Sequence, residues 1–140
     1  MTLTVLDASG VAAWLVPGQS TAAADTLLSE AMATRFLVPY VFPAECRNLL
    51  LKAERRRRMS QTDVETALDF VAGLNLQTLP TPDRVGHDQA LSLARREGLS
   101  FYDALYLKAA LEASARIASR DGALVQAAER CGLAAIDLRG

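Results

Sequence analysis

The chain has one histidine, two cysteines and no glycine-rich loop, and each shortage removes a class of chemistry. A lone His87 excludes catalysis by a histidine pair, and its mixed helical surroundings predict a surface or half-buried side chain. Cys46 and Cys131 are too far apart to form a metal-ligand spacing. Both fall among apolar helical neighbours, which predicts reduced core thiols. Neither GxGxxG nor GxxxxGK[ST] occurs, so dinucleotide and P-loop functions are excluded. Charge is nearly balanced, 15 Lys+Arg against 16 Asp+Glu, so nucleic-acid contact would have to come from a local patch. The longest apolar run, Val11 to Val16, is far shorter than the roughly 20 residues needed to span a bilayer. With no basic leader ahead of the first strand, the expectation is a soluble, cytoplasmic protein with no membrane partner.

What remains is a chain with half its residues hydrophobic and few aromatics, so its core is built mainly from Ala, Leu and Val. Residues 1–140 read as one domain, long enough to bury roughly two-thirds of its unfolded surface. Strands are expected at Leu3–Leu6, Arg35–Val38, Leu74–Leu79, Arg116–Ser119 and Ala134–Leu138. Between them, helical spacing predicts Ser9–Val16, stopped by Pro17-Gly18, and Ser20–Ala33, with Ala23, Leu27, Leu28 and Ala31 on one face. A helix beginning at Pro43 runs through Leu51 into Arg55–Arg58. Another begins at Ser60, with Asp63 as its capping-box partner. A helix through Leu91-Leu93-Ala94 stops at Gly98, one starts at Ser100, and the last covers Gly122–Cys131. Such alternation predicts an α/β fold, a mostly parallel sheet with helices on both faces.

Four acidic residues stand where an apolar segment hands over to a helix: Asp7, Glu45, Asp103 and Asp121. In an open parallel sheet, ligands bind beyond the carboxyl ends of the strands near the topological switch point. Asp7 and Asp121 follow strands; Glu45 and Asp103 lie in first turns of helices, which begin on that same edge. All four are therefore expected together. Two carboxylates about 4 Å apart repel by roughly 4 kcal/mol at an effective dielectric near 20, so such a pocket calls for protons or a hard divalent cation, Mg²⁺ or Mn²⁺. The competing explanation is that acids simply favour helix N-termini, by about 0.3–1 kcal/mol each. It leaves unexplained their apolar settings, since buried charge needs a partner.

The segments Leu6-Asp7-Ala8-Ser9, Pro39 through Glu45, Tyr102-Asp103-Ala104-Leu105-Tyr106-Leu107 and Ser119-Arg120-Asp121 resemble, in order and over essentially the whole chain, a PIN-domain ribonuclease of the VapC toxin type. The resemblance implies a three-layer sandwich around a five-stranded, mostly parallel sheet in order 3-2-1-4-5. It implies Asp7, Glu45, Asp103 and Asp121 as catalytic, metal-binding acids, with Ser9 and Ser119 in support. The implied activity is Mg²⁺- or Mn²⁺-dependent hydrolysis of RNA phosphodiester bonds, tRNA or another structured RNA being a candidate target. The implied partners are a cognate antitoxin and a second copy of the chain in a homodimer.

Arg55-Arg56-Arg57-Arg58 is the one dense basic run, equally a dipole-complementing helix end or a grip on an RNA backbone. Arg120, with Arg47, Arg95, Arg96 and Arg116, supplies alternative phosphate contacts. Trp14, Tyr102 and Tyr106 are expected in the core. A non-catalytic PIN-like module that binds RNA or a protein is the rival reading, against which the four acids count, because binding alone favours Lys or Arg. A receiver-like signalling domain fails on pattern: only Asp7 follows the first strand, and the third ends Thr78-Leu79-Pro80.

Overall fold

The computed structural model describes all 140 residues. Five strands, β1 (Thr2–Leu6), β2 (Thr34–Val38), β3 (Leu76–Thr78), β4 (Arg116–Ser119) and β5 (Ala135–Asp137), form one sheet in order β3-β2-β1-β4-β5. Every pairing is parallel. The central strands end in fully buried residues, Val5 and Leu6 on β1 and Ile117 and Ala118 on β4, as expected for strands covered on both faces.

Seven helices accompany the sheet: α1 (Ala8–Leu15), α2 (Ala22–Ser29), α3 (Phe42–Arg55), α4 (Gln61–Ala72), α5 (Arg84–Glu97), α6 (Phe101–Ala113) and α7 (Gly122–Arg130). The chain steps outward from β1 to β2 to β3, then returns past β1 to β4 and β5. Right-handed crossovers therefore put the helices of the two halves on opposite faces. α1 packs with α2 and α3, whereas α6 packs with α5 and α7 and spans β1, β2 and β4. The order reverses between β1 and β4, which is where such sheets bind ligands.

Helix starts and stops were legible. Ser60 and Asp63 form a complete capping box, Gly98 closes α5 in the left-handed conformation, and Pro43 sits in the first turn of α3. Three expectations need correction. Ser20–Ala33 is not one helix: α2 stops at Ser29, and a 3₁₀ turn (Ala31–Ala33) follows. The third strand is only Leu76–Thr78, since it is an edge strand with one neighbour. The arginine run does not stay in α3 to its end: the helix stops at Arg55, and Arg57 takes a positive φ of 60°. Arg57 N–H donates to Glu54 C=O and Arg58 N–H to Ala53 C=O, each at 2.9 Å. That is a complete Schellman turn with arginine where glycine is usual.

No helix is long and apolar enough to cross a membrane. Cys46 is buried and Cys131 half-buried, both as free thiols. Burial pushes the Cys46 thiol up to about 12, so it stays protonated and inert.

Candidate active site

Asp7 is the first residue after β1, and its backbone N–H donates to Ala118 C=O, tying the ends of β1 and β4 together at the switch point. Gly10 permits the close seating of α1 above it. A Cβ there would lie 2.7 Å from Leu6 Cδ1 and 3.0 Å from Leu138 Cδ1. Ser9 is thus held against the strand ends.

Asp7 is only 6% exposed, and its Oδ2 accepts two hydroxyl hydrogen bonds, from Ser9 and from Ser119, each 2.7 Å. Each hydroxyl in turn accepts a backbone N–H at 2.9 Å: Arg120 donates to Ser9 and Asp121 donates to Ser119. Burial nevertheless raises the Asp7 carboxyl above its ordinary range, with Asp121 adding to the effect. Hydrogen bonds to the ionised form lower a pKa; here desolvation outweighs them.

Asp103 lies in the first turn of α6, and Asp121 is the N-cap of α7. The Asp103 carboxyl is pushed up to about 7, chiefly by burial and then by the charges of Asp121 and Asp7. Glu45, in the first turn of α3, accepts a 2.7 Å hydrogen bond from the Tyr106 hydroxyl. Its carboxyl is raised by burial, with Asp7 contributing.

All four acids line one cleft of about 540 Å³. Helix capping explains one of them. Asp121 Oδ1 accepts the Leu124 N–H at 3.2 Å, as a cap should. Asp7 occupies the N-cap of α1 without making a cap bond. Ser100 accepts the Asp103 N–H, but the carboxylate does not return the bond, in contrast to Asp63 on Ser60. No lysine or arginine forms an ion pair with any of the four. The result is an all-oxygen cluster of partly desolvated carboxylates lacking a counter-charge.

That donor set suits a hard divalent cation. The side chains do not form a closed cage, since no three acidic, histidine or cysteine groups are drawn tightly enough together to hold an ion by themselves. Mg²⁺ requires no such cage, because it usually keeps several waters and takes one or two carboxylates.

The cleft also has a cationic rim. Glu45, Asn48, Lys52 and Arg56 follow one another at three- and four-residue steps, so one stripe of α3 faces the cleft. The Schellman turn after α3 returns Arg58 to the same wall, while Arg55 and Arg57 lie outside it. Arg120 lines the cleft too. It hydrogen-bonds Gln19 through Nη1, and its Nε is buried without an acceptor. Other candidate arginines are engaged elsewhere: Arg116 with Glu30 and Thr4, Arg96 with Glu97, and Arg47 with the Pro43 carbonyl.

Sequence reasoning missed Lys52 and Asn48, although the α3 stripe that begins at Glu45 would have found them. It read Tyr106 only as core. The ring is fully buried, yet its hydroxyl reaches Glu45, and its place one turn after Asp103 was the available signal. Tyr102 is a correction: it is 55% exposed, not core. Trp14 is half-buried between Phe36 and Phe70, with its N–H donated to Ala24 C=O. His87 is half-buried and hydrogen-bonded to Tyr40.

Residues 4–130 match the family model of the PIN domain. Among solved structures, PAE2754 from Pyrobaculum aerophilum superposes with a TM-score of 0.67 at 18% identity, covering 97% of this chain and 90% of that one. VapBC2 from Rickettsia felis, bound to a DNA fragment from their promoter, gives 0.65 at 12% identity, covering 96% and 97%. FitAcB from Neisseria gonorrhoeae gives 0.60 at 16% identity, covering 95% and 96%. These likenesses establish a shared fold. No curated protein matches the chain in sequence.

Proposed function

The chain belongs to the PIN-domain family, and from its acidic cleft we propose that it is a metal-dependent endoribonuclease, a VapC-type toxin restrained by a cognate antitoxin. The observation that carries the reading is the convergence of Asp7, Glu45, Asp103 and Asp121 on one cleft with no cation paired to them and a basic rim beside them. A module that only bound RNA would gain nothing from placing uncompensated carboxylates against phosphate.

Asp7 and Asp103, the most desolvated pair, would hold a first Mg²⁺ or Mn²⁺, and Glu45 and Asp121 would contribute through waters or to a second ion. When bound, the metal supplies Lewis-acid polarisation of the phosphate and a nucleophilic water at neutral pH. The protein's own part is positional. Ser9 and Ser119 fix the Asp7 carboxylate, Tyr106 fixes Glu45, and a carboxylate of the set accepts the proton of the attacking water. Arg120, Arg56, Arg58 and Lys52 engage the RNA backbone, each phosphate contact adding salt dependence. Arg55 and Arg57, outside the cleft, serve only RNA that extends past the end of α3.

The whole chain, 1–140, works as a single PIN domain in the cytoplasm and pairs as a homodimer. The likeness to the chain in the VapBC2 structure supports a protein partner. The open arrangement of the acids favours a second reading, a PIN-like module that binds RNA or protein without cutting.

One experiment separates the two. Purified, partner-free protein is incubated with total cellular RNA, tRNA included, in Mg²⁺, Mn²⁺ or EDTA, alongside the Asp7→Asn variant. Discrete fragments that vanish in EDTA and in the variant are the expected result. RNA binding without fragments under any metal would transfer the assignment to the non-cutting module.

A further inference from the structure

Of the four cations lining the cleft, Lys52, Arg56 and Arg58 are exposed, and Arg120 alone is half-buried. The Arg120 backbone N–H is fixed on Ser9 Oγ at 2.9 Å, the same hydroxyl that donates to Asp7. Its side chain has no carboxylate within ion-pair distance. Nη1 donates instead to Gln19 Oε1, across 101 residues of sequence. Nε is the only buried side-chain nitrogen or oxygen in the chain without a hydrogen-bond partner. Gln19 lines the cleft as well. It stands in the link between α1 and α2, where Gly18 turns the chain at a φ of 84° and the Gln19 N–H donates to Val16 C=O at 3.2 Å.

We propose that Gln19 is a positioning residue that aims Arg120 at the phosphate under attack, which makes Arg120 the catalytic cation of the cleft. The inference rests on the endoribonuclease reading and separates one cation, with its tether, from the rest of the basic rim. A guanidinium presents five N–H donors in a planar fork that matches phosphate oxygens. A partly desolvated cation with no counter-charge is unfavourable until an anion arrives, and RNA phosphate drawn to the acids supplies that anion. A buried donor left unsatisfied is a cost that folding alone does not explain. The chemistry of the tether is informative too. A glutamate at position 19 would hold the guanidinium equally well but cancel its charge, whereas an amide oxygen orients it and leaves the charge whole. A charge set in place beforehand stabilises developing negative charge without reorganising during the reaction. The exposed side chains on α3 keep their rotamer freedom and so contribute mainly to affinity along the strand.

The test uses the full chain and an RNA oligonucleotide carrying a bond that the wild type cuts in total cellular RNA. In excess Mn²⁺, Arg120→Ala should lower kcat about 100- to 1,000-fold, the usual loss for one donor to developing charge. Gln19→Ala should lower kcat by up to about 100-fold, the effect of a misplaced group, with KM little changed. Gln19→Glu keeps the tether and cancels the charge, so it should melt no lower than the wild type and still lose kcat. The double variant Gln19→Ala/Arg120→Ala should cut no more slowly than Arg120→Ala alone, because Gln19 acts only through Arg120. On an Asp7→Asn background, adding Arg120→Ala should reduce the salt dependence of binding to the labelled oligonucleotide by one phosphate contact, a slope change of about 0.7–0.9. Wild-type kcat in either Gln19 variant, losses that multiply in the double variant, or an unchanged salt slope would overturn the proposal. If the wild type cleaves in a metal-dependent way and any of these is found, only this inference fails. If the wild type neither binds nor cleaves RNA, the nuclease reading fails with it.

Discussion

The Tyr106 hydroxyl donates to Glu45 Oε1 at 2.7 Å across 61 residues of sequence, joining the middle of α6 to the first turn of α3. Burial and the nearby charges of Asp7 and Glu45 raise the phenol far above its ordinary range, so it remains a donor at every working pH. Tyr106→Phe keeps the buried ring and removes only this bond. Partners that orient a metal ligand typically matter 10- to 100-fold in metal affinity or activity. The variant should therefore melt near the wild-type temperature yet need about 10-fold or more Mn²⁺ for half-maximal cleavage. An unchanged Mn²⁺ dependence would mean that Glu45 does not rely on Tyr106 for its orientation.

Ser119 has two duties, donating to Asp7 Oδ2 and accepting from the Asp121 N–H, and it is fully buried. Ser119→Ala leaves that N–H without its partner and removes one of the two hydroxyls on Asp7. An unmade buried hydrogen bond costs about 1–3 kcal/mol, so urea denaturation should reveal a loss in that range. Ser9 shares the same carboxylate oxygen. The double variant Ser9→Ala/Ser119→Ala should consequently deviate from additivity by at least about 0.5 kcal/mol. Strict additivity would mean that the two hydroxyls act independently.

The sheet and the edge at which the acids collect were legible because both follow from local rules. Alternating strand and helix patterns imply parallel pairing, and that pairing brings β1 and β4 ends together however far apart Asp7 and Asp121 lie in sequence. What the sequence concealed was tertiary. Glu45 and Tyr106 meet only once α3 and α6 have packed on the sheet, and a tyrosine in the run Leu105–Leu107 looks like any core residue. Tyr102 misled for the same reason in reverse, since Phe101 and Tyr102 look alike in sequence while only Phe101 turns inward onto His87. The four arginines could not be separated until the left-handed Arg57 turned Arg58 back to the cleft.

Arg57 holds that turn at φ 60°, where a Cβ is strained by about 1–2 kcal/mol. Glycine relieves the strain but loosens the unfolded chain by roughly 0.4–1 kcal/mol. Arg57→Gly should therefore stabilise the protein by up to about 1.6 kcal/mol in urea denaturation. Cleavage of a short RNA should be preserved, as Arg57 does not line the cleft. Destabilisation would indicate that the arginine side chain contributes more than its backbone strain costs.

The carboxylate cluster also fixes the sign of a pH dependence. Asp103 titrates near 7 in the folded chain against 3.8 ordinarily, and Asp7 and Glu45 are shifted in the same direction. The folded state thus holds protons that the unfolded state has released, and stability falls as pH rises between about 4 and 7. In EDTA, the melting temperature should be higher at pH 5.5 than at pH 7.5. A divalent ion reverses the ordering, because it binds the ionised carboxylates and stabilises the native state by mass action. Adding Mn²⁺ should raise the melting temperature strongly at pH 7.5 and little at pH 5.5, where protons compete for the same oxygens. Asp103→Asn removes one of these titrations, so it should flatten the EDTA profile and blunt the Mn²⁺ response together. An EDTA profile that instead rises from pH 5.5 to 7.5 would require Asp7, Glu45 and Asp103 to be better solvated, or better paired, than their setting in the cleft implies.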